Sequence, residues 1–243
     1  MTIKWRSQTL LAVYAGLLTV AASVHLLSGS SGGRAARFEA IDVQRINIVE
    51  PDGTIRLVLS DKARFPGILF KRKEYPHPNR KTAGILFYND EGTENGGLTF
   101  GGAKDADGEP SAYGHLSFDQ YEQDQVLTLD TSESGASRRA RLTIWDRPDY
   151  SIEELLELQG RIKALSADEQ KKAYAAFFAD RGQAQPRLFL GKTDDGGVSL
   201  RLSDRDGRER LILEVSPDGA GVVRFLGEDG KETSRFPAAK NPD

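Results

Sequence analysis

Three hydrophobic patterns divide this chain. Residues 9–27 carry no formal charge, are dominated by Leu, Ala and Val, and follow Lys4 and Arg6. At about 1.5 Å per helical residue this run matches the hydrocarbon thickness of a bilayer, which predicts one N-terminal transmembrane helix over 8–28. From 38 to 236 short β-branched or aromatic runs alternate with Gly/Asp turns, the pattern of antiparallel strands. Within that region 151–181 changes to helical spacing.

The strand runs fall at 45–49, 55–59, 84–88, 98–100, 114–118, 126–129 and 141–145, then at 188–190, 198–202, 211–215 and 222–226. The turn glycines Gly196, Gly207, Gly219 and Gly230 recur every eleven or twelve residues, as a meander of short strands requires. In Val198-Ser199-Leu200-Arg201-Leu202-Ser203 the alternation is strict, which predicts an apolar face on a core and a polar face in water. Ser151 with Glu154 and Ser166 with Glu169 have capping-box spacing and predict two helices in a hairpin. Ile152, Leu155, Leu156 and Ile162 share one side of the first, and Tyr174, Phe177 and Phe178 form a stripe on the second. The fold class is therefore mainly β: an antiparallel meander, barrel or sandwich-like, with a two-helix insertion at 151–181. Residues 29–37, which continue the run Ser-Gly-Ser-Ser-Gly-Gly begun at Ser28, form a flexible linker, and 237–243 a disordered tail.

The address follows from the N-terminus. An uncleaved anchor places the β-rich domain outside the cytoplasm of a bacterial cell; the alternative is a secreted or periplasmic protein cleaved near Ala21-Ala22-Ser23. Lys and Arg number 33 against 36 acidic residues, a balance that provides no field for nucleic acid. The absence of cysteine excludes disulfides, thiolate metal sites and cysteine nucleophiles.

Chemistry-bearing motifs are few. The histidines are His25, inside the apolar run, His77 in a proline-flanked loop, and His115 at a strand start; no nucleophile elbow accompanies them. Asp204-Arg205-Asp206-Gly207 and Asp105-Ala106-Asp107-Gly108 open like calcium loops, but Leu213 and Gly114 stand where the bidentate glutamate belongs, so both are expected as hairpin turns. Gly101-Gly102 lacks the lysine and hydroxyl of a phosphate loop. No cofactor or metal is predicted. Lys71, Arg72, Lys73, Arg80 and Lys81 cluster around the proline loop and are expected as solvated charges. Residues 89–97, between two apolar strands, are richer in polar side chains than a turn needs; Asn89, Asp90, Glu94 and Asn95 are the candidate ligand-binding residues.

Two stretches, Arg45-Ile46-Asn47-Ile48-Val49-Glu50-Pro51-Asp52-Gly53 and Gly84-Ile85-Leu86-Phe87-Tyr88 continued through Leu98, resemble a family of bacterial proteins with an N-terminal hydrophobic segment and a β-rich domain. That resemblance covers about residues 40–102. It implies the address and the β architecture; the family has no assigned activity, so no site residue carries over. The expected function is a non-enzymatic binding or structural module of the envelope, whose partner is a protein or other envelope component. The alternatives are a carbohydrate hydrolase using Asp90 and Glu94, and a lipid or small-molecule carrier built as a closed barrel.

Overall fold

The structure, a computed structural model, describes residues 12–15, 18–19, 35–78 and 80–238. The chain divides into two units, residues 1–42 and 43–243. In the first, 12–15 and 18–19 are helical and 35–42 have no regular structure; the rest of the expected transmembrane helix lies outside the described residues, as do most of the linker and of the tail. Among the described residues no helix is long and apolar enough to cross a membrane.

The second unit is a meander. Its strands are β1 (Arg45–Val49), β2 (Ile55–Ser60), β3 (Ile68–Phe70), β4 (Lys73–Tyr75), β5 (Ala83–Tyr88), β6 (Glu94–Lys104), β7 (Pro110–Asp119), β8 (Gln125–Ser134) and β9 (Ser137–Asp146). Helices α1 (Ile152–Ile162) and α2 (Ala167–Arg181) come next, then β10 (Gln185–Lys192), β11 (Val198–Ser203), β12 (Glu209–Val215), β13 (Gly221–Leu226) and β14 (Glu232–Phe236). Twelve of these strands form one antiparallel sheet in the order β1-β2-β5-β6-β7-β8-β9-β10-β11-β12-β13-β14, while β3 and β4 pair with each other. The sheet is open: β1 and β14 each have one neighbour, so it does not close into a barrel.

One turn joins most of these strands. At 50–54, 89–93, 105–109, 193–197, 204–208, 216–220 and 227–231 the first residue's N–H donates to the fifth carbonyl, and the fourth residue's N–H donates to the first carbonyl. The fourth residue is always a glycine at positive φ, from 74° at Gly92 to 93° at Gly196, where a Cβ would be strained. Where the first residue is Asn89, Asp105 or Asp204, its Oδ1 accepts from the backbone N–H groups two and four residues on. The carboxylates that resemble calcium ligands are therefore turn braces.

The β3–β4 hairpin lies over one face of the sheet, here the first face. Leu69 packs there with Val58, Leu86 and Tyr88, with Ile55 and Phe65 around them. The hairpin tip is pinned by Lys71 N–H donating to Thr93 Oγ1 at 3.0 Å and Arg72 N–H donating to the Gly92 carbonyl at 3.2 Å. The helices begin where Ile152 N–H donates to the Glu122 carbonyl, 2.7 Å. Ser166 and Glu169 make both bonds of a capping box. Ser151 instead accepts from Glu153 N–H, and Glu154 pairs with Arg181 at 3.0 Å, tying α1 to α2.

Candidate interaction surface

Alternation gives each strand two sides, and the register carries each side across the whole sheet. On the face opposite the hairpin one row reads Ile46, Leu59, Ile85, Leu98, Leu116, Leu129, Leu142, Leu190, Leu200, Leu213, Val223 and Phe236, one residue from each of the twelve strands. The adjoining row reads Ile48, Leu57, Phe87, Gly96, Phe118, Leu127, Ile144, Leu188, Leu202, Leu211, Phe225 and Ser234. Neither row holds a charge. Gly96 is bridged by Phe87 and Phe118, whose rings stack at 6.1 Å, and a Cβ there would meet the Ser117 carbonyl at 2.3 Å.

Large side chains on that face stay exposed across the sheet. Phe118, Leu129, Leu190, Leu213 and Phe225 remain between 38% and 48% exposed. The buried side chains of the large sheet, Val58, Ser60, Leu86, Tyr88, Ser117, Thr128, Ser199 and Ile212, all point to the first face. The alternation at 198–203 thus has the expected period, but its first pair is buried the opposite way, with Ser199 1% exposed and Val198 48%, while 200–203 are half-buried on both sides. Arg201 bonds Ser199 and lies over it, so long polar side chains rather than a hydrophobic layer bury the first face here.

On the first face the arginines of a prominent groove are paired. This open groove of about 700 Å³ on β9–β13 is lined by Arg139, Arg141, Arg201 and Arg224. Each has a carboxylate partner: Asp194 at 2.8 Å, Asp130 at 3.7 Å, Glu209 at 3.2 Å and Glu214 at 3.2 Å. Paired in this way they offer an anion little. His115 Nδ1 meets Asp130 Oδ1 at 2.6 Å, and Thr128 Oγ1 donates to Asp130 Oδ2 at 2.6 Å. Partial burial works to raise the Asp130 pKa, but these bonds outweigh it and hold the carboxyl below its ordinary value.

The four candidate ligand residues take different roles in and beside the 89–93 turn. Asn89 braces its turn, and Asp90, almost fully exposed, pairs with Arg56. Residues 94–97 belong to β6 rather than to a loop, so Asn95 is a strand residue. Glu94 lies under the hairpin, where Arg80 grips it with two bonds of 2.9 and 2.6 Å. Arg80 is consequently a largely buried ion-pair partner, not a solvated loop charge. Beside them Asp119 Oδ1 and the Tyr88 hydroxyl are buried without partners. Burial first, and then the Glu94 and Asp124 carboxylates, push the Asp119 pKa up to about 8; burial likewise raises Tyr88.

Asp90 and Glu94 thus pair with different arginines, the first carboxylate exposed and the second largely buried. Among the described residues no group of His, Asp and Glu is arranged to hold a metal. No protein-family model matches the chain, and no curated protein matches its sequence. The surface that stands out is the apolar second face, which reading the strands one by one does not reveal. Its signal in the sequence is a large apolar residue at alternate positions of strand after strand, with turns of constant length keeping the register.

Proposed function

We propose that this chain is a non-enzymatic assembly module of the bacterial envelope, held there by its N-terminal apolar segment and working through the second face of its sheet. One observation carries the reading: an apolar row twelve strands long whose large side chains stay exposed at points from β2 to β14. Monomeric proteins rarely leave contiguous apolar patches above a few hundred Å² in water, and patches beyond that mark binding surfaces. Glu94, gripped by Arg80 under the hairpin, supports a structural role for that carboxylate, and an open sheet does not enclose a ligand as a carrier barrel does.

Leu129→Arg tests this. Leu129 is nearly half exposed at the middle of the row, so the sheet accommodates an arginine, but a partner seated on the face does not. The full chain, solubilised from membranes in mild detergent, is expected to sediment as a complex that the substitution reduces in size. Ser132→Arg, on the first face of the same strand, is expected to leave it unchanged. If Leu129→Arg sediments with the unaltered chain, the second face is not the working surface.

A further inference from the structure

We infer that the second face is covered by the second face of another copy of this chain, two twelve-stranded sheets closing into a sandwich about a twofold axis. The inference rests on the reading that this face is the working surface, and it names the occupant.

Three features favour a second copy. The first is self-complementarity: an isologous interface needs a patch that fits itself, and a row of Leu, Ile, Val and Phe without charge sets apolar groups on apolar groups under a twofold. The second is area. Eleven strand spacings of about 4.8 Å give a row about 53 Å long, and at a width of about 15 Å each copy presents ~800 Å², the contribution per partner of a standard stable interface. An acyl chain covers only part of such a length. The third is shape: aligned sheets with large apolar side chains on their inner faces pack about 10 Å apart and interdigitate, the arrangement that a domain sandwich makes within one chain.

The strand order fixes where the axis falls. Six strands lie on either side of the β8–β9 boundary, so full overlap of two copies puts the twofold under that boundary, beside Leu129 and Leu142. Whichever way the axis runs in the plane between the sheets, Leu129 of the two copies is brought close.

The chain has no cysteine, so a single introduced thiol reports one position. Leu129→Cys and, separately, Leu142→Cys in the full chain in native membranes are treated to completion with a homobifunctional maleimide that spans the ~10 Å sheet spacing, added in limiting amounts until no free thiol remains. Ser132→Cys is the first-face control, and in a parallel sample a monofunctional maleimide measures how fast each thiol is labelled. The expected result is a covalent dimer of this chain for either second-face cysteine, at roughly tenfold or more the control yield, with slow labelling of both. Slow labelling without the dimer overturns the second copy and leaves the binding face standing, with lipid, another protein or the chain's own N-terminal segment as occupant. Labelling as fast as Ser132→Cys, without the dimer, overturns the second copy and the binding face together.

Discussion

Replacing Arg80 by Met is expected to destabilise the chain by about 3–5 kcal/mol, the usual cost of stranding one partner of a buried ion pair. Arg80 neutralises Glu94 through two bonds and also donates to the Gly67 carbonyl at 3.0 Å, so its guanidinium joins the sheet to the segment leading into β3. Its loss leaves a carboxylate beneath the hairpin with Asp119 beside it. The double variant Arg80→Met with Glu94→Leu removes both charges and is expected to recover most of the loss, since a well-packed apolar pair replaces a buried ion pair at little cost. Urea unfolding of the three proteins measures this. A double variant no more stable than the single one would mean that the damage comes from packing, not from the unpaired charge.

Asp119 is expected to make folding stability fall as pH rises. Its carboxyl titrates near 8 in the folded protein against a reference value of 3.8, so between those limits the folded chain holds a proton that the unfolded chain has released. Stability is then highest at the acid end of the window and declines by about 1.4 kcal/mol per pH unit, up to about 4 kcal/mol between pH 5 and 8, before levelling off. Asp119→Asn fixes the neutral form. It should match the unaltered chain below about pH 4, exceed it by about 1–2 kcal/mol at pH 5 and by roughly 5 kcal/mol at pH 8, as measured by urea midpoints from pH 4 to 8. Parallel stability curves would show that Asp119 is ionised in the fold.

Sequence patterns carry the fold where the physics is local. Turn chemistry at Gly196, Gly207, Gly219 and Gly230 and the β-branched runs between them locate β11, β12 and β13 within a residue or two. The same reasoning misses β3 and β4, three residues each, because strands this short beside prolines have no period to detect and exist by packing on Val58 and Leu86. It shortens β6 at Gly96-Gly97, which a turn would favour and which the stacked rings of Phe87 and Phe118 hold in the sheet. Arg80 and Glu94, fourteen residues apart, meet only when the hairpin folds over.

Burial is the instructive failure. Alternation separates the two sides of a strand but does not say which side finds a cover. In this sheet Ser117, Thr128 and Ser199 are buried on the first face, Ser199 beneath Arg201, while Phe118, Leu129 and Leu190 on the other face stay exposed. A sequence that invests an apolar residue at alternate positions of twelve strands and leaves large ones exposed from β2 to β14 is read as one part of an assembly.

Thiol reactivity along the apolar row tests that account most directly. Single cysteines at Leu59, Leu129 and Leu213 span the sheet from β2 to β12, each at a position left 38–46% exposed by the chain itself. In the full chain in its native membranes, all three are predicted to react with a water-soluble maleimide roughly tenfold or more slowly than Ser132→Cys on the first face. Rates equal to that control at all three positions would mean that the leucine row faces water, and the assembly account would be wrong.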